Sequence, residues 1–218
     1  MRISGWERWA ALTGLLTVVG LVVATLVQGP IPAADASAKQ ITDFFASNHD
    51  RIMAAMYIRL YAGFAFIWFL ATLWSALARA EGRSARVSNV AFGAGIVVLG
   101  SSGAATAAIA AGAFRAGSGV DPAVAAALVV AVHMFYAISG MGTAWMLIAS
   151  WLVTLRTRVL PGWVAWLGLV LALITLVIVP FAFGKPIVLY AALLVLIWMA
   201  IVSVVLFMRP TLAQPVSV

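Results

Sequence analysis

Six apolar stretches, each long enough to cross a bilayer, run through this chain, and its basic residues cluster in alternate gaps between them. A bilayer's hydrocarbon core is ~30 Å thick and is crossed by ~20 apolar residues in helical form. Lipid offers backbone N–H and C=O groups no partners, so a crossing segment must satisfy them internally, as an α-helix does. The stretches cover about 9–27, 53–78, 87–113, 122–155, 160–183 and 187–208. The expected fold is all-α: one six-helix transmembrane bundle made by residues 1–218.

Composition agrees. The chain is 65% hydrophobic and 9% charged, whereas soluble domains are nearer a quarter charged. Too few polar side chains exist to coat a water-soluble globule. A formal charge of +7 would point to nucleic acid in a soluble protein. Here the positions of the charges account for it, so no nucleic-acid partner is expected. The absence of cysteine excludes disulfides and thiolate-held clusters. Eleven arginines against two lysines, with abundant alanine, glycine and valine, fit a GC-rich bacterial genome.

Basic residues near span ends favour the cytoplasmic side. Arg2 and Arg8 precede span one, Arg79, Arg83 and Arg86 separate spans two and three, Arg156 and Arg158 separate spans four and five, and Arg209 follows span six. The other side has Lys39, Arg51, Arg115 and Lys185, partly balanced by Asp35, Asp43, Asp50 and Asp121. Trp6, Trp9, Trp74, Trp151, Trp163 and Trp166 flank the arginine-rich ends, as interfacial tryptophans do. Both termini are therefore expected in the cytoplasm. Small-residue sites at Ala34-Asp35-Ala36 and Ala36-Ser37-Ala38 resemble signal cleavage sites, but the first apolar stretch is longer than a 7–15-residue signal core, so it is expected to stay as a span.

Residues 33–50 read as an amphipathic segment in the first outer loop. Gly29-Pro30-Ile31-Pro32 ends the first helix, because proline lacks an amide and clashes with the preceding turn. Asp35 or Ser37 can cap a short helix. Ile41, Phe44 and Phe45 then recur at helical spacing, with Lys39, Gln40, Asp43 and Ser47 on other faces. The segment is either a packed connector or a lid over an outward-facing cavity, with Ile41, Phe44 and Phe45 as its apolar side.

Few residues here carry chemistry. An arginine in a span is a functional candidate by default. However, 60–78 alone makes ~28 Å of helix, so Arg59 falls at the outer boundary, where it could snorkel to water. Counting back from Arg156, 134–155 makes ~33 Å and places His133 at the same level. Histidine can shuttle protons or bind metal, yet a lone one in a helix interface more often forms a hydrogen bond. No metal ligand set and no cofactor motif is present, and no carboxylate lies deep in a span. Ser139-Gly140 has no histidine partner on its own face, since His133 is ~240° around the helix. Catalytic residues are therefore not assigned. Tyr57, Tyr136, Ser102 and Thr106 join Arg59 and His133 as candidate ligand-binding residues of one outer layer, which Gln28, Pro180 and Tyr190 also share.

Span three carries small residues at four-residue spacing, Gly100, Ala104, Ala108 and Gly112, beside Gly103, Ala107 and Ala111. Such rows let backbones approach. Packing inside the bundle is the expected use, and a homodimer face the alternative.

Several pieces carry a resemblance: Ala33-Ala34-Asp35-Ala36-Ser37-Ala38 with Ile41-Thr42-Asp43-Phe44-Phe45 and Asn48-His49, then Leu77-Ala78-Arg79-Ala80-Glu81-Gly82, then Leu160-Pro161-Gly162-Trp163-Val164-Ala165-Trp166-Leu167-Gly168. The chain resembles a large group of actinobacterial six-span membrane proteins close to the DUF4386 domain family. The resemblance implies topology and a bacterial plasma membrane, and no activity. The leading functional expectation is a non-enzymatic bundle that binds or passes a small lipophilic or amphipathic molecule at an outward-facing cavity, with membrane lipid as a partner. The alternatives are an accessory or regulatory subunit of a larger membrane complex and a lipid-modifying membrane enzyme using Arg59 and His133.

Overall fold

The computed structural model describes residues 9–116, 119, 121–181 and 187–208, with side chains described except at 181 and 187–190. Arg2, Trp6, Arg8, Lys185 and Arg209 lie outside the described residues, as do Phe183, where the fifth stretch ends, and the side chain of Tyr190. The chain forms α1 (Thr13–Gln28), α2 (Ala38–Ser47), α3 (His49–Glu81), α4 (Arg86–Ala116), α5 (Pro122–Thr157), α6 (Gly162–Phe181) and α7 (Ile187–Met208). Six helices are long and apolar enough to cross a membrane: Trp9–Gln28, His49–Glu81, Arg86–Ala116, Pro122–Thr157, Gly162–Pro180 and Ala191–Met208. The chain is a multi-pass membrane protein.

Local chemistry sets the helix ends. Gly29 and Gly82 take positive φ after α1 and α3, a backbone region open to glycine at little cost. Asp121 accepts from the amides of Ala123 and Val124, with Pro122 at the first turn of α5. Ser37 and Gln40 form a reciprocal capping box at the start of α2. The exposed Lys39 ammonium donates to Asp43 at 2.7 Å one turn on. That hydrogen bond and the Asp43 charge hold the lysine above its usual pKa. Glu81 bridges the α3–α4 turn: one carboxylate oxygen accepts from the Val87 amide and the other from the Ser88 amide and hydroxyl.

The long helices close into a ring. Each packs on the next in the order α1, α3, α4, α5, α6, α7, with α7 returning to α1 and α3 also touching α5. Two apolar cores fill it. The larger lies toward the arginine-rich end, around Phe69, Leu70, Leu73, Leu77, Leu147, Leu160, Trp198 and Val202. Polar stitches close this end. The Ser203 hydroxyl donates to the Ala11 carbonyl, and the Trp198 indole donates to the Val164 carbonyl at 3.0 Å. The smaller core lies at the opposite end, where α2 sits on α4 and α5.

The small residues of α4 divide between two faces. A Cβ on Gly95 would overlap Leu70, and one on Gly112 would overlap the Phe45 ring. These two glycines admit neighbours from α3 and α2. Gly100 and Gly103 instead have open space around them, and Ala107 and Ala111 are exposed. The expectation of inward packing therefore holds for Gly112 and not for most of the row. Ala104 and Ala108 are half-buried between the two faces.

Candidate functional site

The candidate residues occupy the end of the bundle that carries α2. Their depths match because α3 and α4 run antiparallel with Gly63 against Leu99. Arg59 on α3 is therefore level with the stretch of α4 that holds Ser102, Gly103 and Thr106.

Arg59 is half-buried, and its guanidinium donates to the Gln28 side-chain oxygen at the C-terminus of α1. Gln28 is 1% exposed. The guanidinium thus reaches the α1–α3 seam while the side chain stays half-exposed. Gln28 uses only its oxygen. Its Nε2 is buried with no hydrogen-bond partner. Four residues on, the Pro32 carbonyl lies 3.0 Å from His133 Nε2 of α5. Arg59 and His133 therefore reach the same Gln28–Pro32 turn, one from α3 and one from α5. His49 does similar work nearby, its Nδ1 lying 2.8 Å from the Ala113 carbonyl of α4.

The remaining candidates separate. Ser102 and Ser139 share a hydrogen bond of 2.9 Å across the α4–α5 interface. Thr106 is buried and donates back to the Ser102 carbonyl at 2.9 Å. Tyr136 packs against the smaller core. Tyr57 does not join them: it is 56% exposed on the outer side of α3. Of the lid residues, Ile41 and Phe45 are fully buried and Phe44 is partly buried against them, its ring 5.6 Å from that of Phe45. Helix α2 is seated on α4 and α5, with Phe45 filling the space that Gly112 leaves.

Sequence reasoning grouped Gln28 with this layer by depth but not as the partner of Arg59. It missed Ser139 as a partner of Ser102, having weighed it only as a nucleophile. The signal for that pair was two hydroxyls at one depth on consecutive spans. Pro180 lies apart, lining an open apolar groove of about 380 Å³ between α5 and α6 with Ala137, Ile138, Met141 and Val179. Among the described residues no group of three or more histidine and acidic side chains could hold a metal ion. The arrangement combines excess hydrogen-bond donors at the α1–α3 seam with hydroxyls facing each other between α4 and α5. That suits recognition of a polar group, and it lacks a nucleophile with a base beside it.

No protein-family model, curated protein or solved structure matches the chain.

Proposed function

We propose that this protein binds a small amphipathic molecule within the half of the bundle that carries α2, and that this half faces outward from a bacterial plasma membrane. The observation that carries the reading is a layer of buried polar side chains at the α2 end of the ring. Gln28, Ser101, Thr106 and Ser139 are all buried at that level, and Arg59 joins them. An ionisable group within a span is costly and is a functional candidate by default, and Arg59 brings its charge to this layer. The flanking helix faces are apolar and suit a ligand's tail. With α2 seated on α4 and α5, the α4–α5 side is closed, and a ligand enters when α2 lifts or from the side. Among the described residues no nucleophile sits beside a base, which weighs against the lipid-modifying alternative.

The test is native mass spectrometry of the detergent-extracted protein. A bound amphiphile that survives mild activation and is absent from a variant carrying Ser102→Leu and Ser139→Leu supports the reading. A bare chain at every activation energy, or the same adduct on the variant, sinks it. Orientation is checked separately, since the chain has no cysteine. Ala46→Cys, on the exposed side of α2, should react with an impermeant maleimide on intact cells.

A second reading, assembly with another copy, rests on the outer face of α3 and α4. Tyr57, Tyr61 and Phe64 are 56%, 76% and 65% exposed, forming a ridge beside the open row Gly100, Gly103 and Ala107 of α4. The Gly63–Leu99 contact puts ridge and row at one depth. A twofold axis along the bilayer normal preserves depth, so the ridge of one copy meets the row of the other. At ~200 Å² per aromatic side chain, the exposed parts of these three come to roughly 400 Å². That is about half of the ~800 Å² each partner gives a stable complex, before Leu60, Ile67 and the small residues add theirs. Co-expressed Phe64→Cys and Gly100→Cys chains should form a disulfide-linked heterodimer on oxidation. Monomers by single-molecule photobleaching in nanodiscs would remove this reading.

A further inference from the structure

We infer that the Gln28–Arg59 seam is an oxyanion site, and that the ligand's polar end is a carboxylate or a phosphate. The inference deepens the amphiphile reading and rests on it for the ligand's tail, though not for its charge.

Three observations converge. First, Gln28 is nine-tenths buried and more, and its Nε2 has no partner. Buried polar atoms of this kind are rare, and each calls for an ion, a water or a functional role. Second, among the described residues the hydrogen bond of Arg59 goes to Gln28. A guanidinium carries five N–H donors and no acceptor, so most of its donors remain for a ligand. Third, no carboxylate among the described residues pairs with Arg59. The Lys39–Asp43 ion pair lies on α2.

The chemistry that completes the seam follows from these groups. The unpartnered groups there are donors, the Gln28 Nε2 amide and the remaining guanidinium N–H groups. The incoming group must therefore accept. Water accepts, but it leaves the positive charge of a partly buried arginine uncompensated. An oxyanion accepts from both side chains and neutralises the charge, and its paired oxygens match the planar fork of a guanidinium. An alcohol or a sugar hydroxyl meets the hydrogen bonds and not the charge. His133 and the Gln28–Pro32 turn shape the edge of the seam: the histidine holds the Pro32 carbonyl and so fixes the turn that carries Gln28.

Carboxylate or phosphate at this place has two sources, the headgroup of an anionic amphiphile or a free anion. Thermal shifts of the purified full chain in a neutral detergent separate them, with dodecyl phosphate, dodecanol and inorganic phosphate as probes. Dodecyl phosphate is expected to raise the melting temperature saturably, with apparent affinity falling at least about tenfold in Arg59→Gln and several-fold in Gln28→Leu. Arg59→Lys keeps the charge and loses the fork, and should fall between the parent and Arg59→Gln. It also serves if Arg59→Gln fails to fold. Stabilisation by dodecyl phosphate and not by inorganic phosphate supports the amphiphile as the source. Equal stabilisation by both, lost in the variants, supports the oxyanion site while removing the amphiphile reading. Dodecanol matching dodecyl phosphate, with Arg59→Gln and Arg59→Lys indistinguishable from the parent, overturns the oxyanion site and leaves the amphiphile reading standing. No response to any probe overturns both.

Discussion

Removing the Phe45 ring should release α2 while leaving the six long helices folded. Phe45 is fully buried, and its ring occupies the space that would hold a Cβ at Gly112. With Ile41 it is one of two fully buried side chains of α2. Fully burying a side chain of this kind is worth ~1.5–3 kcal/mol. A ten-residue helix has almost no stability alone. Docking of α2 therefore depends on these two residues, at ~3–6 kcal/mol together. Phe45→Ala removes the transfer energy and leaves a cavity, at a cost of ~3–5 kcal/mol, which uses up most of that docking energy. The contact can also be spoiled from its other side. Gly112→Ala overpacks the ring at ~1–3 kcal/mol, against a gain of ~1 kcal/mol in helix propensity. Gly100→Ala makes the same chemical change facing open space and keeps the gain. The assay is hydrogen exchange in nanodiscs. Since ~1.4 kcal/mol is tenfold in an equilibrium, Phe45→Ala should speed exchange of the α2 amides by at least about a hundredfold while the cores of α3 and α5 stay protected. Gly112→Ala should move in the same direction by less, and Gly100→Ala should leave α2 unchanged. If α2 exchange is unaltered in Phe45→Ala, or if α2 and the long helices lose protection together, then α2 is not a separately docked element and the reasoning fails.

Two further outcomes follow from single contacts. Glu81→Ala removes the acceptors for two amides and a hydroxyl at the α3–α4 turn and should lower stability by ~1–2 kcal/mol, read as a lower melting temperature. Glu81→Gln keeps both acceptor positions only in part and should fall between the two, and a change within ~0.5 kcal/mol for Glu81→Ala would count against the cap. Trp198→Phe loses the bond to the Val164 carbonyl and part of a fully buried ring and should cost ~1–3 kcal/mol. Melting in detergent checks it, and parental stability would mean that the α6–α7 seam is held by other contacts.

Much of the architecture was legible because lipid is a strict solvent. The requirement for internally satisfied backbone fixes element type, and the spacing of Arg79, Arg83, Arg86, Arg156 and Arg158 divides the helices at the observed turns. The expected start of the second span, at 53, falls one turn inside the observed helix. His49, Asp50 and Arg51 are polar enough to end an apolar stretch, yet their backbone continues α3 from His49. Counting from the arginines also gave the level at which Arg59 and His133 lie. Counting measures only position along a helix, so it was silent on their partners. Gln28 is 31 residues from Arg59 across a proline turn, and Pro32 is 101 residues from His133.

What counting cannot supply is rotation about the helix axis. In a soluble protein that angle is written in the sequence, because one face is apolar and the other polar. In a bilayer the lipid is as apolar as the core, and the contrast disappears. Helix α4 illustrates the loss. Gly95 and Gly112 face inward and Gly100 and Gly103 face out, yet all four sit among alanine and valine, and a small-residue row runs through both sets. Only shape separates them: the inward pair is matched by Leu70 and Phe45, whose positions depend on other helices. Polar residues keep a rotational signal, since lipid rejects them: Gln28, Thr106 and Ser139 are buried, and Ser102 faces Ser139. Their inward direction follows from the same rule that makes a buried, unpartnered Gln28 amide costly.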